Sequence, residues 1–165
     1  MNYLQYYPID VVNGEGTRCT LFVSGCEHFC PGCHNASTWD ARKGLPFDQT
    51  MEERIIADLG DQRIHRDGLS LSGGDPFYPG NLPGILKLVK RVKSVYPQKN
   101  IWLWTGYTLE TLSAGQQAVL PYLDVLIDGR FELAKRDLSL PWRGSSNQRV
   151  IRLGERRYAA ADGGC

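Results

Sequence analysis

No apolar run in the chain approaches the roughly 20 residues that a membrane-crossing helix needs, which argues against a helical membrane protein. The first stretch, MNYLQYYPIDVVNGEG, lacks both the basic and the apolar region of a secretory leader, so a cytoplasmic location is expected. Charge of one sign is scarce too. The formal net charge is +1, and acids and bases are interspersed without a long like-charge block. Such a chain has no strong field to recruit nucleic acid or a membrane surface, and neither is expected as a partner. Internal repeats and low-complexity segments are also missing. Cysteine is present in an odd number, 5, and it is not spread in pairs. Cys26, Cys30 and Cys33 crowd into CEHFCPGCHN, while Cys19 and Cys165 lie apart. A disulfide framework would distribute its pairs along the chain, so a metal site in a reducing compartment fits better. What the crowded loop lacks is a fourth cysteine.

With 165 residues, 42% of them hydrophobic, the chain suits one globular domain with a sizeable core. The domain is expected over 1–150, followed by a flexible tail over 151–165 that carries Cys165 as a free thiol. TRCTLFVSG reads as a strand that delivers the chain into the cysteine loop. QTMEERIIADLGD reads as a helix with Ile55, Ile56 and Leu59 on one face. NLPGILKLVKRVKSVYP reads as an amphipathic helix with Ile85, Leu88, Val89 and Val92 inward, ended by Pro97. GLSLSGGDP, NIWLWTGY and DVLIDGRF are short apolar strands, and TLETLSAGQQAVLPYL between the last two is expected to be helical. Strands thus alternate with helices, and the apolar runs LFV, LSL, IWLW and VLI suit strands covered on both faces. The fold class is α/β with a mostly parallel sheet. A closed eight-stranded barrel usually takes about 250 residues, so an open, partial (β/α) barrel is expected.

Each strand runs into unusual chemistry: the cysteine loop, then Gly73-Gly74-Asp75, then Thr105-Gly106, then Asp128-Gly129. Carboxyl ends of parallel strands share one edge, where ligands bind. Asp128 is a candidate ribose or amine contact there, or simply a turn former. Trp102 and Trp104 are expected to pack, one toward each layer or rim. Asn13 to Gly16 read as a turn too short for a phosphate loop. Three thiolates in one compact loop can hold zinc, completed by His28 or His34, or three irons of a [4Fe–4S] cube. Common zinc modules use two separated ligand pairs, which favours the cube. Its fourth iron would then be open to a small molecule.

C-x-x-x-C-x-x-C after a strand of a parallel α/β chain resembles the signature of the radical S-adenosylmethionine superfamily. The resemblance implies that Cys26, Cys30 and Cys33 are the metal ligands and that S-adenosylmethionine chelates the open iron. Reductive cleavage would then yield a 5′-deoxyadenosyl radical. It further implies that Gly73, Gly74 and Asp75 form the methionine-binding turn, with Asp75 supporting the methionyl amine or shaping the turn. Gly32, Cys33 and His34 fall on the adenine side, although many members carry an aromatic residue where this chain has Gly32. Thr105 and Asp128 complete the implied rim. The set NGEGTRCTLFVSGC, CPGC, SLSGGDP, WTGY and WRGSSNQ resembles the glycyl-radical-enzyme activases that serve anaerobic ribonucleoside-triphosphate reductase, in order over about residues 2–148. This implies the reductase as macromolecular partner and a reduced flavodoxin or ferredoxin as electron donor. It also places Arg143 to Gln148 near the cofactor or the partner. Two other functions stay open: a radical enzyme acting on a small molecule, as in deazapurine synthesis, and a zinc-stabilised binding module without catalysis.

Overall fold

The computed structural model describes residues 1–154. Among the described residues seven strands form one open sheet: β1 (Asn2–Asp10), β2 (Arg18–Val23), β3 (Leu45–Pro46), β4 (Gly68–Gly73), β5 (Asn100–Trp104), β6 (Val125–Asp128) and β7 (Arg149–Arg152). Their order across the sheet is β3-β1-β2-β4-β5-β6-β7. The centre, β2-β4-β5-β6, is parallel, and β1, β3 and β7 are antiparallel additions at its edges. The expected α/β class with parallel central strands is therefore correct.

Two helices cross between parallel strands. In α1 (Gln49–Gly60) the side chain of Asp48 accepts a hydrogen bond from the Met51 amide at 2.9 Å, satisfying one of the free amides of the first turn. In α2 (Leu82–Val95) the apolar face Ile85, Leu88, Val89 and Val92 is fully buried, as its spacing predicts. Buried Glu52 of α1 pairs with Lys87 and Arg91 of α2 at 2.9 and 2.8 Å, locking the two helices in register. The third expected helix is not continuous. Residues 109–122 form two 3-10 turns flanking α3 (Ala114–Gln117). Ser113 and Gln116 form a capping box that starts a new helix in mid-segment, and Pro121 prevents its extension.

The two sheet faces differ. Cys19, Leu21, Val23, Leu69, Leu71, Ile101, Leu103 and Leu126 point to α1 and α2 and make the main core. The other face carries Arg18, Ser70, Trp102, Val125 and Ile127, with Trp142 packed on it from the loop before β7. The strands are thus covered on both faces, but helices cover only one. Trp102 and Trp104, two residues apart, share this second face and stack at 5.9 Å, so the expectation that they point to opposite sides fails on strand geometry. The body also continues past residue 150: Ile151 and Leu153 are buried, and Ile151 pairs with Leu126. The rest of the expected tail, with Cys165, lies outside the described residues.

Arg18 closes the bottom of this second face with 0% exposure. Its guanidinium donates to Ser70 Oγ at 2.6 Å and to the carbonyls of Glu15 and Leu69 at 3.0 and 2.9 Å, and lies over the Trp102 ring. Burial pulls its pKa down to about 10, still well above neutrality. Arg18→Ala removes these bonds and leaves their acceptors buried, so we expect a loss of about 3 kcal/mol in urea unfolding. A change under about 0.5 kcal/mol, the usual size for a surface site, would contradict this role.

Candidate active site at the carboxyl ends of the parallel strands

The ends of β2, β4, β5 and β6 open onto one cavity of about 580 Å³. Cys26, Cys30 and Cys33 lie on its wall with His34, Gly73, Gly74, Asp75 and Thr105. Eight residues singled out in the sequence thus meet at one place. Gly32 and Asp128 are not on this wall. Gly32 takes φ +76°, a turn conformation that favours glycine, with Leu133 against its outer side. Asp128 is fully buried and engaged otherwise. Arg149 donates to both of its oxygens, at 2.9 and 2.5 Å, and the Leu109 amide donates at 2.8 Å. In this arrangement it ties β6 to β7 beside a second, more open cavity of about 740 Å³, which shares His28, Gly106 and Gly129 with the first.

The cysteine loop is folded by its backbone. Gly25 and Cys26 amides donate to the carbonyls of Thr38 and Trp39, and the Cys33 amide donates to Cys30. The Asn35 amide points at Cys33 Sγ at 3.4 Å. Burial pushes the Cys26 thiol up to about 11, opposed by the amides of His28 and Phe29, which would stabilise an anionic sulfur. All three cysteines are free thiols. Among the described residues no three His, Cys, Asp or Glu side chains close on a point as one metal ion requires. His28 is further removed from a zinc role because its Nε2 donates to Asp75 Oδ2 at 2.8 Å.

The Gly73-Gly74-Asp75 turn is held tightly. Gly73 takes φ +107°, and a Cβ there would lie 2.6 Å from the Val23 backbone. At Gly74 a Cβ would lie 2.5 Å from the Gly25 carbonyl oxygen, so the close approach is to the cysteine loop's own backbone. Asp75, 1% exposed, accepts from the Phe77 amide at 2.8 Å through Oδ1. Its Oδ2 accepts from His28, from Thr105 Oγ1 at 3.0 Å and from the Gly106 amide at 2.9 Å. Of the two roles foreseen for Asp75, shaping the turn is the one this network serves.

Aromatic and polar groups on the remaining wall suit a nucleoside with a charged tail. Phe22, Trp39, Trp104 and Phe131 supply ring faces. Arg143 also lines the cavity. Its Nη1 donates to the Gln148 carbonyl at 2.6 Å, while its buried Nε has no hydrogen-bond partner. An unsatisfied guanidinium N–H fits an anionic group on a ligand. The loop that brings Arg143 is held by Trp104 Nε1 donating to the Trp142 carbonyl and by Gln148, whose Oε1 accepts from the Gly144 and Ser145 amides. The sequence motif WRGSSNQ marked this loop. The sequence also singled out His28 and Gly106, but not their shared bonding to Asp75, which lies far along the chain from each.

Residues 12–151 match the model of a family described as a 4Fe-4S single cluster domain, a span that includes the whole cysteine loop and the parallel strands. Fold, site and match define a [4Fe–4S] radical S-adenosylmethionine protein. The anaerobic ribonucleoside-triphosphate reductase-activating protein of Vibrio cholerae serotype O1 is 63% identical, over 93% of this chain and 99% of its own length. Proteins of the same name from Escherichia coli strain K12 and Enterobacteria phage T4 are 60% and 48% identical, over 93% and 91% of this chain and 99% and 93% of theirs. The chain belongs to the family of anaerobic ribonucleoside-triphosphate reductase-activating proteins.

Proposed function

We infer that the chain activates anaerobic ribonucleoside-triphosphate reductase by placing a radical on a glycine of that partner. The observation that carries this reading is the set of three free thiols on the wall of one cavity, facing a glycine turn, in a chain of this family. Cys26, Cys30 and Cys33 would hold a [4Fe–4S] cluster. When bound, the cluster and S-adenosylmethionine would supply reductive radical chemistry able to remove a hydrogen atom from the partner glycine. The chain's own residues bind, orient and exclude water. The Gly73-Gly74-Asp75 turn presents backbone to the methionyl end, with Thr105 fixing Asp75. Cys33 and His34 border the adenine side. Arg143 offers its unsatisfied N–H to an anionic group, and Phe22, Trp39 and Trp104 keep the cavity dry.

The electron donor is a reduced flavodoxin or ferredoxin, and the location is cytoplasmic. No helix among the described residues is long and apolar enough to cross a membrane. The glycine must reach the cavity from outside, which an open sheet permits. The test is to incubate the iron-reconstituted protein with reductant and S-adenosylmethionine, with and without the reductase, and to measure 5′-deoxyadenosine. The expected result is product that rises with added reductase. Full turnover on a small metabolite without the reductase would replace this reading by the small-molecule one.

A further inference from the structure

His28 sits between two cluster cysteines, yet its side chain faces away from a ligand role. The imidazole is 10% exposed and its Nε2 donates to Asp75 Oδ2 at 2.8 Å, across 47 residues of sequence. Asp75 follows the glycine turn at the end of β4. The end of β5 meets the same ring twice. Tyr107 packs edge-on against it at 4.5 Å between centroids. Gly106 leaves it room: a Cβ at that position would lie 2.3 Å from His28 Cδ2. The end of β6 meets the backbone of His28, where Arg130 donates to its carbonyl at 2.5 Å. One residue inside the cysteine loop therefore contacts the chain just beyond three other parallel strands.

Two separate pieces of chain must agree in position for a cofactor to bind cluster and turn together. The cysteine loop comes from β2 and the glycine turn from β4. Such constellations need registration within about 0.5 Å, supplied by buried supporting bonds rather than by the ligands themselves. We propose that His28 is a positioning residue that registers the cysteine loop against the Gly73-Gly74-Asp75 turn through its bond to Asp75. This rests on the reading of the cavity as a cluster and S-adenosylmethionine site. His28 holds no iron and touches no reacting atom in this role. It sets where the cysteine loop stands relative to the glycine turn. Gly106 is part of the same device, since a side chain there would expel the imidazole.

The test uses the full chain, reconstituted with iron and sulfide, in four forms: wild type, His28→Ala, His28→Gln and Asp75→Asn, with the double variant H28A/D75N. Three readouts are taken: iron and sulfide content, S-adenosylmethionine affinity by equilibrium binding, and the change that the ligand produces in the electron paramagnetic resonance spectrum of the reduced cluster. In His28→Ala the iron content should stay near wild type. Affinity should fall roughly 10- to 100-fold, the range typical of lost supporting contacts, and the ligand-induced spectral change should shrink. His28→Gln keeps an N–H donor on a side chain of similar reach and should recover most of the affinity. The double variant should lose little more than Asp75→Asn alone, because both changes break one bond. Unchanged affinity in His28→Ala overturns the proposal. So does loss of iron in both His28 variants, which would make the residue a ligand or a folding determinant. Failure of glutamine to rescue, or additive losses in the double variant, overturns it as well. If the wild-type protein itself takes up no cluster or no S-adenosylmethionine, the reading of the site fails, and that outcome is separate from the four above.

Discussion

Alanine at Cys26, Cys30 or Cys33 is expected to reduce iron retention after reconstitution to background, and with it all radical transfer to the reductase. Each thiol is one of three on the cavity wall. A cube held at three irons has no spare protein ligand to replace a lost one. Cluster affinity is also bound up with loop geometry, since binding requires deprotonated thiols in a preformed place. Cys19 is the internal control. It is 0% exposed, points into the core beside α1, and its Sγ lies 3.6 Å from the Pro8 carbonyl. Burial raises the pKa of this thiol, consistent with a small hydrophobe rather than a ligand. Cys19→Ala should keep its iron and lose about 1 kcal/mol of stability. Iron analysis of the four variants decides the matter. A Cys30→Ala protein that keeps its cluster, or a Cys19→Ala protein that loses it, would contradict the assignment.

Gly74→Val carries the second large effect, and it acts on two parts of the site at once. The added Cβ would lie 2.5 Å from the Gly25 carbonyl oxygen and 2.9 Å from that of Thr38. Both are backbone atoms at the two ends of the cysteine loop, so no side-chain rotation relieves the contact. Overpacking of this kind typically costs about 1–3 kcal/mol. The loop must shift to accept it. Lower thermal stability, lower cluster yield and weaker S-adenosylmethionine binding are therefore expected together. This differs from the simpler expectation that glycine is needed only to let the cofactor approach. A folded variant with wild-type stability and a full cluster, impaired in cofactor binding alone, would restore that simpler view.

Much of the site was legible in the sequence because its residues belong to short local motifs at strand ends. CEHFCPGC, SGGDP and TGY each stand next to an apolar run, and parallel topology brings strand ends together. The helices α1 and α2 were legible for the same local reason, an apolar stripe at helical spacing. The antiparallel edges were not. β1 carries Pro8 and is largely exposed or half-buried, so its pattern of burial is weak. β3 has two residues, and β7 straddles the expected end of the domain at residue 150. The segment before β6 misled because its apolar periodicity is helical while Ser113 and Pro121 divide it. At the site, pairings remote in sequence were hidden. Asp75 was expected to support the methionyl amine or to shape the turn, and nothing in the sequence named the donors its carboxylate accepts from, His28, Thr105, Gly106 and Phe77. Asp128 likewise belongs to Arg149. A buried acid at a strand end has the same sequence signature whether it faces a ligand or an internal donor. Only the fold separates the two.

The central claim is that the radical ends on a glycine of a separate protein. Electron paramagnetic resonance of the reduced, reconstituted chain with S-adenosylmethionine and anaerobic ribonucleoside-triphosphate reductase tests it most directly. One hydrogen remains on the glycyl Cα after abstraction, so its coupling should split the signal into a doublet. The account predicts that doublet with wild-type reductase and its loss when the reductase's radical-site glycine is changed to alanine. Cofactor cleavage with no protein radical on the wild-type reductase, or an unchanged doublet from the alanine variant, would contradict it.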